Sequence, residues 1–218
     1  MLKTHTFRMN SIICQSDETE SLYFGDFLCS EYENDIDRLR GYLKESNILI
    51  SSFTNVANDS AMWDMYGDGG EGVMLGFESN SGDILTSIQY IDEELEEFKL
   101  LRANIRSFKE NNIRLHFTEI DNMHRFIKNI KFKEENEWRL VREFMGDLDN
   151  TLYNNTYAYF HDFPFTGNKL NDLNMSLVSI TLGPNQRKSN IPLLIKDTQN
   201  AFGNIEITAK IQNNTSPD

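Results

Sequence analysis

Apolar positions along this chain fall into short clusters whose spacing changes from stretch to stretch. Asn47–Phe53 (NILISSF) is short, apolar and β-branched, which predicts a buried strand. Thr6–Cys14 reads as a strand, or a strand entering a helix, and Ser21–Phe24 as a short strand. Glu33–Glu45 places Ile36, Leu39 and Leu43 at helical spacing. Asp59–Tyr66 predicts a short helix capped by Asp59 or Ser60, with Met62, Trp63 and Tyr66 on one face. Gly67-Asp68-Gly69-Gly70-Glu71-Gly72 predicts a tight turn, since glycine reaches positive φ freely. Val73–Phe77 and Ile84–Ile91 follow as strands. Ile113–Lys131 repeats Ile120, Met123, Ile127 and Ile130 in helical register. Trp138–Phe144 alternates, with one apolar face and another carrying Arg139 and Arg142. Asn150–Gly167 reads as irregular, Leu177–Leu182 as a strand ending in the turn Gly183-Pro184-Asn185, and Ile191–Asn200 as a helix. Gly203 breaks that helix before a last strand, Ile205–Ile211. Strands at both ends with helices filling the middle predict one α+β domain over residues 1–212, followed by a frayed tail at 213–218.

Composition supports a folded chain. It has 218 residues, 39% hydrophobic and 25% charged, with 15 Phe. That is enough for a core without covalent staples. The longest apolar stretches, Ile48–Ile50 and Pro192–Ile195, fall far short of the roughly 20 residues of a membrane span. No apolar segment of signal-peptide length opens the chain. The expectation is a cytoplasmic protein without membrane association, in which Cys14 and Cys29 are free thiols. Lys and Arg number 21 against 34 Asp and Glu, a net charge of −13. That charge disfavours a long nucleic acid as partner, because phosphate-backbone binding needs basic patches.

Familiar motifs are missing from the sequence: it has no phosphate-binding G-x-x-x-x-G-K-[ST], no H-E-x-x-H and no C-x-x-C. His5, His116, His124 and His161 are scattered, with no carboxylate spaced to complete a metal site. The glycine turn carries Asp68 and Glu71, which repel phosphate, so a hairpin or bulge is the plainer reading. Met62, Trp63 and Tyr66 read as core before they read as a stacking platform. Glu135 and Glu137 stand out. In an extended chain they point to one side with Trp138 on the other, and two carboxylates on one face raise a pKa unless a cation compensates. On spacing alone, two readings stay open: a functional carboxylate pair, or surface pairing with Arg139.

Several motifs together carry a resemblance. Ser52-Phe53-Thr54, Met62-Trp63-x-x-Tyr66, Gly72-Val73-Met74-Leu75-Gly76-Phe77, Ile88-Gln89-Tyr90 and Glu135-Asn136-Glu137-Trp138-Arg139 resemble a bacterial domain family of unknown function. Val178–Pro184 resembles that family's closing strand and turn, while Asn34-Asp35-Ile36-Asp37 and His5-Thr6-Phe7-Arg8 match its first elements only in part. More distantly, the order Arg8, Ser52-x-Thr54, aromatic helix, apolar strand and Glu135-x-Glu137 is similar to ADP-ribosyltransferases of the R-S-E type.

That second resemblance implies a split-sheet transferase fold, with NAD as substrate and ADP-ribose passed to a protein or small-molecule acceptor. A toxin or anti-phage effector with a neutralising or regulatory protein partner is the implied setting. Glu137 would hold a ribose hydroxyl and stabilise the oxocarbenium-like centre, and Glu135 would position or deprotonate the acceptor. Ser52 and Thr54 would hold the ribose and support Glu137, while Trp63 or Tyr66 would wall the pocket. Arg8, or His5 in its place, would face the pyrophosphate. Two other classes stand beside this one. One is a non-catalytic binding module of a defence or stress system. The other is a metal-dependent hydrolase or nuclease using Glu135, Glu137 and an aspartate such as Asp64 or Asp68.

Overall fold

Most of the alternating and β-branched runs do form strands. A computed structural model describes residues 4–12, 23, 41, 47–56, 59–79, 85–113, 123–153 and 156–209. In chain order the elements are β1 (Thr6–Ser11), β2 (Ile48–Thr54), α1 (Ser60–Tyr66), β3 (Val73–Ser79), β4 (Leu85–Ser87), β5 (Gln89–Ile91), α2 (Glu96–Glu110), β6 (Ile127–Asn129), β7 (Glu137–Glu143), β8 (Asp149–Tyr153), β9 (Thr156–Pro164), β10 (Lys169–Leu170), β11 (Met175–Leu182), α3 (Ile191–Phe202) and β12 (Glu206–Ala209). Short 3-10 turns lie between some of them, including Asp68–Gly70 and Ile130–Glu135. Among the described residues the chain is therefore α+β, with several sheets and few helices. Among the described residues no helix is long and apolar enough to cross a membrane. The expectations for Cys14, Cys29, His116, Glu33–Glu45 apart from Gly41, Ser21–Phe24 apart from Tyr23, and the 213–218 tail fall outside the described residues.

Internal contacts divide the chain into two units. The first comprises Met1–Arg8, Val56–Ile84 and Asp162–Asp218, and the second Met9–Asn55 and Leu85–His161.

In the first unit β3 pairs antiparallel with β11, and β11 pairs parallel with β12. A parallel neighbour needs a crossover, and α3 supplies it. Leu177, Ile180, Leu182 and Phe202 form the core here, with Leu75, Phe77 and Leu194 packed on it. The register slips at Val178, where Leu177 faces Phe77 but Ser179 faces Gly76. Gly76 has no side chain to clash with Ser179 at this bulge. Asp59 caps α1 by accepting from the Ala61 and Met62 amides at 2.7 and 3.3 Å. The glycine run is a tight turn as expected, but it joins a helix to a strand instead of closing a hairpin. Asp68, Gly69 and Gly70 all have positive φ there. The Gly183 and Asn185 amides bond to Gly72 and Gly70 carbonyls, and the Asn185 side chain to the Gly69 carbonyl at 2.7 Å.

The second unit holds a six-stranded sheet in the order β4-β7-β2-β1-β9-β8, whose strands β1 and β9 run on into the first unit's segments. β2 is one of its two central strands, antiparallel to β1 on one side and to β7 on the other. Ile12, Ile48 and Ile50 are buried together, with Val141 against them. A separate parallel pair joins β5 to β6.

Three local expectations are corrected. Ile84–Ile91 is not one strand: β4 pairs with β7 and β5 with β6, and the break falls at Ile88, whose amide bonds to the Glu137 carbonyl at 2.9 Å. The helix expected over Ile113–Lys131 gives way at its described end to a 3-10 turn, the strand β6 and a second 3-10 turn. Strand pairing with β5 outweighs the helical spacing of Ile127 and Ile130. Asn150–Gly167 is mostly the hairpin β8–β9.

A Cβ on Gly183 would overlap the Gly70 carbonyl, a backbone group that cannot swing aside. Gly183→Ala is expected to destabilise the protein by about 1–3 kcal/mol, the usual cost of overpacking. Gly167→Ala, with open space around the Cβ but φ of +62°, tests strain alone. Chemical denaturation compares the two, and equal losses would show that the close approach to Gly70 costs nothing.

Candidate functional site

Period-two geometry builds the site from β2 and β7. Their register sets Thr54 opposite Glu137 and Ser52 opposite Arg139, so these four side chains share one face of the sheet. The Ser52 hydroxyl donates to Glu137 Oε1 at 2.5 Å. Thr54 Oγ1 donates to the Glu135 carbonyl at 2.8 Å. Ser52 and Thr54 are themselves exposed, so this side of the site opens to solvent.

Glu137 is only 5% exposed. Arg139, two residues on and 1% exposed, donates its Nε to Glu137 Oε1 at 2.6 Å and its Nη2 to Oε2 at 3.3 Å. Arg139 Nη1 donates to the Arg125 carbonyl at 2.7 Å. From β6, Lys128 reaches both carboxylates: its Nζ is 2.6 Å from Glu135 Oε2 and 2.9 Å from Glu137 Oε2. Tyr90 Oη on β5 accepts from the Glu137 amide at 2.8 Å. Two buried cations thus face two carboxylates, and the cluster balances in charge.

Burial alone would push the Glu137 carboxyl above the ordinary value of 4.5. The Arg139 guanidinium outweighs it, with help from Ser52 and Lys128, and holds the group below that value. The Tyr90 phenol is pushed above 10.0, chiefly by burial, and stays protonated at neutral pH.

The structure corrects how this pair arises. Glu135 is not on the strand with Glu137. It ends the 3-10 turn Ile130–Glu135, and Asn136 then takes a left-handed conformation at φ 43°. The Asn136 side chain donates to Asn55 Oδ1 at 2.6 Å. The two glutamates still converge on one ammonium group, Lys128 Nζ. Arg139 does pair with Glu137, but in the interior and not at the surface. Arg139 and Arg142 do not share a face either, since three residues is an odd number of pleats.

The remaining candidates lie in the first unit. Arg8 makes a two-pronged pair with Asp162 at 2.8 and 2.7 Å. His5 is exposed, with φ of 54°. Of the expected aromatic face, Trp63 is buried, Met62 half-buried and Tyr66 exposed at 65%. Asp64 and Asp68 are in that unit too.

Sequence reasoning missed Lys128 and underrated Arg139. Alternation gives the one available signal: Arg139 has the same parity as Glu137. Lys128 sits in the three-residue strand Ile-Lys-Asn, which no periodicity resolves.

Because the folded Glu137 carboxyl lies below 4.5, the unfolded chain takes up this proton first as pH falls. The stability it contributes is present in full above about 4.5 and is lost as pH drops through the folded value. Melting temperature against pH should therefore fall steeply in acid for the wild type, and more gently for Glu137→Gln. Glu137→Ala at neutral pH should cost about 3–5 kcal/mol, the usual result of stripping one partner from a buried ion pair.

No curated protein and no solved structure matches this chain. A family model does match, over a stretch that runs from Met62 in α1 to Leu140 in β7 and takes in Lys128, Glu135, Glu137 and Arg139. Residues 62–140 are similar to the family described as "Protein of unknown function (DUF2971)".

Proposed function

We propose that this chain is an ADP-ribosyltransferase-like enzyme that cleaves NAD and passes ADP-ribose to a protein, a small molecule or water. The observation that carries the reading is the Ser52 hydroxyl bound to Glu137 Oε1 across β2 and β7, with Glu135 beside it. Residues of the second unit alone support it. A carboxylate held ionised at neutral pH suits a step in which positive charge develops on a ribose. The C1′–N bond breaks, and nicotinamide leaves with the bonding electrons. The acceptor oxygen or nitrogen bonds to C1′, and its proton passes to Glu135. Thr54 fixes the Glu135 backbone and Ser52 orients Glu137. A role as toxin or defence effector belongs to the same proposal.

A different observation favours a second reading. Glu137 already accepts from Ser52 and Arg139 at Oε1, and from Lys128 and Arg139 at Oε2. A carboxylate has about four acceptor sites. A ribose hydroxyl enters only when one donor leaves. If none leaves, Glu137 is a structural anchor and the chain is a non-catalytic binding module.

NAD consumption separates the two. The first reading expects loss of NAD with released nicotinamide, unaffected by EDTA and reduced at least about 100-fold in Glu137→Gln, the usual scale for one electrostatic catalytic group. Ser52→Ala should lose less and stay folded. No turnover by a folded wild type in the presence of cell lysate would refute the transferase and support the module. Turnover abolished by EDTA would point to the metal-dependent class instead.

A further inference from the structure

Glu135 and Glu137 are brought to one point by a single ammonium group. Lys128 is 3% exposed and its Nζ lies within 2.9 Å of an oxygen of each. The ring of Phe132 sits 4.7 Å from the same nitrogen. Several elements contribute a group to the cluster: Glu137 and Arg139 from β7, Glu135 from the 3-10 turn, Tyr90 from β5, Ser52 from β2. Arg139 contacts Glu137 through both Nε and Nη2, and Glu135 Oε2 lies 2.6 Å from Lys128 Nζ.

We propose that Lys128 is a positioning residue that holds Glu135 and Glu137 together as a commonly aimed pair. The inference deepens the transferase reading and rests on it for what the pair is used for. Without a cation between them, two carboxylates this close share a proton or turn apart. Arg139 is the largest influence holding the Glu137 carboxyl below its ordinary value, and Ser52 and Lys128 add to it. Lys128 also binds Glu135, the group that takes the acceptor's proton. Lys128 has a further property that the second reading lacks a use for. Of the donors on Glu137, it is one already bound to another carboxylate, so it can give up Glu137 Oε2 to a ribose hydroxyl and remain paired.

The test combines carboxyl titration with kinetics on the full chain. Glutamate side-chain carbon shifts are followed by NMR against pH in wild type, Lys128→Met and Lys128→Arg, with Glu135→Gln and Glu137→Gln to assign the signals. In Lys128→Met one of the two carboxyls is expected to titrate at least about one pH unit higher, a tenfold change in proton affinity. Lys128→Arg should bring it back. The acid limb of the NAD turnover profile should move by the same amount, with kcat falling more than KM rises. Unchanged titration in Lys128→Met, or failure of Lys128→Arg to restore it, overturns the proposal. If Lys128→Met does not fold, the double variant Lys128→Met/Glu135→Gln removes the repulsion and should fold; a double variant as unstable as the single one also overturns it. A wild type that titrates as expected but cleaves no NAD leaves Lys128 as the holder of the pair and refutes the transferase reading alone.

Discussion

Arg139 is the member of the sheet on which the candidate site depends. Its guanidinium is almost wholly buried, and an unpaired charge there would be intolerable. One edge of the guanidinium satisfies Glu137, and Nη1 satisfies the Arg125 carbonyl, just before β6 begins. Lys128, three residues further on, completes the neutralisation of the second glutamate. A strand, a neighbouring short strand and a 3-10 turn are therefore locked to one another by groups that cannot be removed singly. Buried ion pairs of this kind add little net stability over apolar residues, but they punish any other arrangement of the same chain. What they specify here is the position of two carboxylates.

Backbone bonds carry the same constraint outward. The Glu137 amide bonds to the Tyr90 hydroxyl and its carbonyl accepts from Ile88. Ile88 is where the chain leaves one sheet for another. The break that defeats a single continuous strand over Ile84–Ile91 thus lies next to the site, and it brings Tyr90 round to the start of β7. Thr54 at the end of β2 and Asn55 just after it do the equivalent, holding the Glu135 carbonyl and the Asn136 side chain.

Much of this was legible in the sequence where one local rule decides. β-branched runs gave β2 and β11, the Asp59 cap gave α1, and glycine gave the turn before β3. Ser52 and Thr54 were readable as candidates through the resemblance that Ser-x-Thr carries, and Glu137 through the Glu-x-Glu pair, of which only Glu137 lies on the strand. Hidden features depend on partners distant in sequence. β6 is three residues long and becomes a strand only beside β5. Lys128 looks like a solvated charge until Glu135 and Glu137 surround it. Asn136 turns left-handed, so the Glu135 side chain reaches the pair by a route that extended-chain geometry does not describe.

The pairing of β3 with β11 has a consequence for synthesis. Val73 faces Leu182, so the first unit's main ladder closes across more than a hundred residues, with the whole second half of the other unit made in between. A ribosome that has just released β3 holds a strand bearing Leu75 and Phe77 with no partner. Its edge stays open until β11 emerges, and the parallel neighbour β12 comes later still. Nascent chains of this protein therefore carry an unpaired apolar edge while about a hundred further residues are made, and a chaperone that binds extended apolar segments would find it there before the fold does.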